Sequence, residues 1–292
     1  MGQIREIKKR IKAVGNITRI TRTMQMIATA KFSAAQQRST AGKPYTEALF
    51  EIVAELARSA GDSLSHPLLR TPDQSKGKAL TLVLTSDRGL CGPYNGSLLR
   101  TAMHHFRDHP DAKAGLVEVV GKKGMGFFKF NHVDVSQHHT QFGDKPEYDQ
   151  VDRLAQDYIE RFIAGEITKV SVVYMRFLSA GKQRPEVMQL LPFVAPEVAQ
   201  TQTTGTNAIY DFSPEGPELL NELVPAAVKA TLFQVFKDAV VSEHIARMVA
   251  MKSATDNASK MSKNLTRTFN RARQSQITTE LTEIISGAAA LD

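Results

Sequence analysis

Between Arg247 and Lys260 the chain reads RMVAMKSATDNASK. Apolar residues at helical spacing open the stretch, and a run of Ala, Ser, Thr, Asp and Asn follows. Nothing around it breaks a helix. From Ala226 to Ser286 there is no Gly or Pro in 61 residues, which at ~1.5 Å per residue is about 90 Å of possible helix. Globular helices average roughly a dozen residues. A rod that long, small and polar at its middle, decides the architecture.

The other end of the chain supplies its partner. Residues 3 to about 58 read as helix, with Ile4, Ile7, Ile11 and Val14 on the 3-4-3 spacing of a coiled-coil seam. The stripe then drifts to Ile17, Ile20, Met24 and Ile27. Gly42 and Pro44 are expected to kink or interrupt this helix, and Pro225 to kink the last one near its start.

Between the two helices the period changes. SAGDSLSHPLLRTPDQSKGK (Ser59–Lys78) is turn-rich and reads as a linker. ALTLVLTS (79–86), GLVEVVG (115–121) and HVDVSQHH (132–139) read as strands, with helices at Leu98–His109 and Asp152–Ala164. TKVSVVYMRFL and EVMQLLPFV form a hairpin through SAGKQRP. Strands alternating with helices predict a mainly parallel sheet. The polar stretch Ala195–Pro217 leads out, with Ser213 or Gly216 placed to cap the last helix. The fold class is therefore α/β: a long antiparallel coiled coil of the N- and C-terminal helices with an inserted Rossmann-like α/β domain. The expected divisions are 1–60, 76–205 and 213–290.

An inserted domain returns the chain near where it left, so residue i should face about 271 minus i. Thr18 and Thr21 then lie near Ser253 and Ala250. Small seam residues let helices approach closely, and hydroxyls and Asn257 in a seam fix register. The first helix ends opposite about residue 268, so Phe269–Ala289 has no partner by this register. Ile277, Leu281, Ile284 and Ile285 nonetheless form an i, i+4, i+7, i+8 apolar face. Such a face needs another protein around it.

Charge points the same way. Residues 1–38 carry nine Lys or Arg against Glu6, and 247–273 carry seven against Asp256, while the whole chain is only +7. Basic belts at both ends suggest an acidic partner. The single cysteine, Cys91, excludes an internal disulfide. No apolar run approaches the ~18 residues of a membrane span. MGQIREIKKRIKAVGN has no apolar core of a signal peptide, so none is expected.

Catalytic patterns are thin. Gly121, Gly124 and Gly126 are ordered G-x-x-G-x-G rather than G-x-G-x-x-G, and read as a turn. There is no G-x-x-x-x-G-K-S/T, hence no phosphate loop of that kind. His104, His105 and His109 lack the companions of a zinc site and read as a surface helix face. Cys91 has no histidine at a spacing that would activate it. A nucleic-acid-binding coiled coil accounts for the basic helices but lacks stacking aromatics. A small-molecule α/β enzyme accounts for the sheet alone. Neither accounts for the bare apolar tip.

ARMVAMKSATDNASK, ARQSQITTELTEIISGAAAL, SDRGLCG (86–92) and IKKRIKAVGNITRITRTMQMIATAKF together resemble the gamma subunit of F-type ATP synthases. The resemblance spans the chain. It implies a rotor shaft, not catalytic alone, inside a ring of alternating alpha and beta subunits. The α/β domain would sit outside that ring, on the membrane c-ring and beside the epsilon subunit, at the cytoplasmic face of the bacterial inner membrane. It further implies neck contacts at Met24 and Arg247, and contacts of Arg273, Gln274, Thr278 and Glu280 with a beta-subunit loop. Ile277 and Leu281 would meet the ring's inner wall. No cofactor, metal, nucleic acid or direct small-molecule substrate is implied. SDRGLCG is followed by Pro93-Tyr94, where the family pattern has another Gly and an apolar residue.

Overall fold

Helix propensity and a long seam give two helices of unusual length, α1 (Gly2–Ala60) and α6 (Gly216–Ala289). The computed structural model describes residues 2–60, 66–69, 77–194 and 216–289. The cap expected at Ser213 and most of both polar connections lie outside them. Neither helix is interrupted: α1 runs through Gly42 and Pro44, and α6 through Pro225. Each proline frees one carbonyl four residues back, at Thr40 and Asn221, and both residues are exposed to solvent. A Cβ at Gly42 would meet only the ammonium end of the Lys237 side chain, which can shift aside.

The chain divides into two compact units, residues 31–246 and residues 1–30 with 247–292. The second unit is an antiparallel pair of helix segments. Ile7, Val14 and Ala28 are its buried α1 residues, and Met251 and Ala258 those of α6. Both sets keep a seven-residue step. Thr21 and Thr255 meet at the centre with hydroxyls 2.7 Å apart. Each is also within reach of a carbonyl one turn back, Ile17 or Met251. One hydroxyl thus donates across the seam and the other into its own helix.

That pair corrects two expectations. It sets the register near 276 minus i rather than 271. Carried along the helices, it puts Ile7 opposite Phe269 and Ile4 opposite Ala272. The seam also does not drift. It stays on Ile11, Val14, Thr18, Thr21, Gln25 and Ala28, and leaves Ile17, Ile20 and Ile27 exposed at 51, 57 and 52%. Ser253 and Asn257 are exposed as well, so Asn257 is not a seam residue. The small seam residues are Ala254, Thr255 and Ala258.

The first unit is a five-stranded sheet in the order β3-β2-β1-β4-β5. β1 (Lys78–Leu84), β2 (Leu116–Val120), β3 (Gln137–His139) and β4 (Ile167–Ser179) are parallel, and β5 (Lys182–Leu191) is antiparallel to β4. β1 is buried on both faces, as a central parallel strand must be. Leu80, Leu82 and Leu84 face a core shared with α5 (Tyr148–Ile163), α6 from Leu220 to Ala239, and Leu49 and Val53 of α1. Val83 faces the other core, with α2 (Tyr94–Asp108) and α4 (Lys122–Phe130). A one-turn helix, α3 (Pro110–Lys113), follows α2. α6 holds a window apolar enough by composition to cross a membrane. Its residues Leu220 to Ala239 instead pack on this sheet.

Ala28 is 1% exposed at the seam. Ala28→Leu should destabilise the chain by ~1–3 kcal/mol through overpacking. The exposed neighbour substitution Ala30→Leu should stay within about 0.5 kcal/mol. Urea midpoints compare them, and equal shifts would show that Ala28 is not at a close approach.

Candidate functional site: a protein interaction surface

An open parallel sheet offers a ligand crevice beyond the carboxyl ends of its strands, where the strand order reverses. Here that point lies between β1 and β4, and the chain fills it. The Tyr94 hydroxyl donates to the Ala239 carbonyl at 3.2 Å, and Ser242 of α6 donates to the Met175 carbonyl of β4 at 3.1 Å.

The neighbouring anion site is also taken. After β2, Gly121 (φ +91°) opens α4, where a phosphate would meet free amides. The Lys122 N–H donates to Asp87 Oδ1 at 3.1 Å, Lys123 N–H to the Ser86 carbonyl at 3.1 Å, and Gly124 N–H to Thr85 Oγ1 at 2.9 Å. A Cβ at Gly121 would land on the Thr85 carbonyl. Asp87 of the SDRGLCG loop does the work an anion would do.

The remaining chemical candidates are structural. Cys91 is buried, and Asn95 Nδ2 donates to its sulfur at 3.3 Å. His104 and His109 are exposed, but His105 is buried against its expected surface position. Its ring lies 4.6 Å from that of His109. Burial, then the nearby His109 and Lys169, lowers its pKa from the ordinary value. Among the described residues no group of three metal-ligating side chains forms.

One buried charge was not foreseen. Glu118 of β2 is 1% exposed. Its carboxylate accepts from Tyr158 at 2.7 Å, His139 Nε2 at 2.8 Å and Arg161 at 3.1 Å. Burial pushes its pKa up, but the three donors outweigh it and hold the carboxyl below its usual range. Every oxygen of the group is occupied. It ties β3 and α5 to β2.

What stays open is the helix surface of the second unit. Gln276 is half-buried, and from Ile277 to Gly287 every residue is exposed. The bare tip thus begins near 277 rather than 269, because the register is shifted and Phe269 is half-buried. Ile277, Leu281, Ile284 and Ile285 stand 49, 53, 69 and 64% open. At 100° per residue they fall with Arg273, Gln274, Thr278 and Glu280 within about 160° of the helix. Arg273, Glu280 and Thr278 flank the apolar stripe, and Gln274 falls within it.

The threonine hydroxyls on this tip turn inward. Thr278, Thr279 and Thr282 donate to the carbonyls of Gln274, Ser275 and Thr278 at 3.0, 3.0 and 2.8 Å. Gln276 gives its amide to Glu280 at 2.7 Å. On α1, half-buried Met24 falls with exposed Ile17, Ile20 and Ile27 within about 80° of arc, a second apolar face. The signal for that face was the unbroken seven-residue step beside it. Arg247 is half-buried and already engaged. Arg19 holds Asn16 at 3.2 Å, and Arg10 pairs with Glu6 at 2.6 Å.

Comparison with known proteins follows the same lines. The family model described as ATP synthase matches residues 3–291. The ATP synthase gamma chain of Rhodopirellula baltica is 42% identical over 297 residues, covering 100% of both chains. That of Leptospira biflexa is 39% identical over 293 residues, again 100% of each. A chain of the Euglena gracilis mitochondrial ATP synthase in rotational state 3 shares the fold, with TM-score 0.68 at 19% identity over 99% of this chain and 95% of that one.

Among the buried groups, Glu118 gives the sharpest test. Glu118→Gln should cost about 3 kcal/mol at neutral pH, because it strips the carboxylate from the buried side of Arg161. The folded carboxyl lies below its usual range. Its contribution is therefore present above about pH 4 and lost as the pH falls through the lower folded value. Denaturation midpoints of wild type and variant should converge on acidification. A gap independent of pH would assign the loss to shape instead of charge.

Proposed function

This chain belongs to the ATP synthase gamma-chain family, and from that premise we infer that it is a rotor shaft turning inside a catalytic ring of alpha and beta subunits. As a gamma chain it is a non-catalytic subunit of the complex and peripheral to the membrane. Its helices couple ion flow through the membrane sector to ATP synthesis.

The finer assignments are our reading. The α/β unit sits on the membrane c-ring and beside the epsilon subunit, at the cytoplasmic face of a bacterial inner membrane. Met24 and Arg247 contact the ring at the neck. Arg273, Gln274, Thr278 and Glu280 meet a beta-subunit loop, and Ile277 and Leu281 meet the sleeve wall. One observation carries this: an apolar tip left bare where α1 ends, with its threonine hydroxyl protons committed to its own backbone. An apolar contact suits a turning shaft because it has no preferred direction.

A fully buried aliphatic side chain contributes ~1.5–3 kcal/mol relative to exposure. The four tip residues are half to two-thirds open, so a sleeve around them gains on the order of 3–6 kcal/mol before helix ordering. Leu281→Asp should therefore weaken assembly with the alpha and beta subunits while leaving the melting temperature of the isolated chain nearly unchanged. A loss of several degrees in the isolated chain would mean the tip folds back on its own protein.

The basic belts yield a separate expectation. Exposed ion pairs contribute only ~0–1 kcal/mol each and are screened by salt. Arg19→Glu with Arg22→Glu should change the ATP hydrolysis rate of the reconstituted complex and its salt dependence more than the stability of the chain. Unfolding of the isolated double variant would show that these charges serve the fold.

A further inference from the structure

A cavity of about 390 Å³ opens in the α/β unit where the loop before α5 meets α1 and α6. Nothing in the shaft's work uses it. Ala35 of α1 and Val240 of α6 line its apolar floor. Tyr148 and Phe233 form a wall, with ring centroids 5.3 Å apart and planes at 88°.

The rim is cationic. Arg38, Lys145 and Lys237 border the opening, and Lys237 Nζ stands 4.8 Å from the centre of the Phe233 ring. Three acids nearby, Asp144, Glu147 and Asp152, have partners of their own, Asp152 with Lys229 at 3.1 Å. Asp144 pairs with Lys31, and Glu147 is drawn into the capping box at the start of α5 with Gln150. An apolar, aromatic-walled cavity of a few hundred cubic ångströms with a few convergent charges is how small-ligand sites are built. Arg38 and Lys145 bring positive charge to the opening.

We propose that this cavity binds a small aromatic anion, a bicyclic or tricyclic ring system bearing a carboxylate or sulfonate. Its ring lies against Tyr148 and Phe233, and its charge faces Arg38 and Lys145. A cationic ligand would meet Arg38, Lys145 and Lys237 against only Asp144 and Glu147. A neutral one would leave the rim charges unused.

The probe is 8-anilinonaphthalene-1-sulfonate, titrated into the full-length chain and followed by fluorescence. Saturable binding at one site per chain is expected, weakening as salt is raised. Arg38→Gln or Lys145→Gln should raise Kd by up to about fivefold each. Tyr148→Ala should raise it about tenfold by removing the aromatic wall. Tyr148 is 47% exposed, so the melting temperature should hold. Should it fall, the exposed Arg38 variant still decides. The uncharged N-phenyl-1-naphthylamine should bind more weakly than the sulfonate. Leu281→Asp separates this site from the bare tip and should leave the Kd unchanged. Unsaturable binding, a Kd untouched by Tyr148→Ala and Arg38→Gln, or loss of binding in Leu281→Asp would overturn the proposal.

Discussion

The structure depends on one close approach, that of α1 and α6 along a seam of small and hydroxyl side chains. Leucine-sized residues throughout would hold the helices at the wide end of the ~8–10 Å packing range. Ala28, Ala258 and the Thr21–Thr255 pair lower that demand and set the register in one contact. Register in turn decides how far α6 outruns α1. The length of bare tip is thus fixed by a pair of threonines far from it in sequence.

The α/β unit shows the same economy of parts. Its sheet has the strand order of a ligand-binding fold, yet α6 closes the point of reversal and Asp87 caps the helix that would hold an anion. The binding crevice of the fold has become a joint between the sheet and a helix of its own chain. Burial of Leu220, Val224, Leu232 and Phe236 against the sheet makes that joint apolar. Glu118, with its three donors, holds the far edge where β3 is only three residues long.

Much of this was legible in the sequence. The seven-residue step, the inserted strands and the overshooting stripe all follow from periodicity, which side chains obey because burial does. The seam beyond Val14 was misread because Ile17, Ile20 and Ile27 are more apolar than Thr18, Thr21 and Gln25. In a lone chain the greasier face would turn inward; here it is left open. The register missed by five residues because it was anchored on chain ends near 58 and 213, and antiparallel helices need not leave a domain level. The capped crevice and the Glu118 cluster join residues far apart in sequence, and no spacing rule reports them. Asp87 in SDRGLCG was visible, but not what it bonds.

The inward hydroxyls of the tip have a dynamical consequence. A donor aimed outward would add a net ~0.5–1.5 kcal/mol to each bond formed with a passing wall. Each ~1.4 kcal/mol of well depth slows escape about tenfold. A tip studded with such donors would advance in stick-slip jumps, resting wherever a bond could form. With Thr278, Thr279 and Thr282 bonded within the helix, the torsional profile of the tip loses those wells. Directional contact is then left to Arg273, Gln274 and Glu280 at the edge and base of the stripe, while its threonines add none.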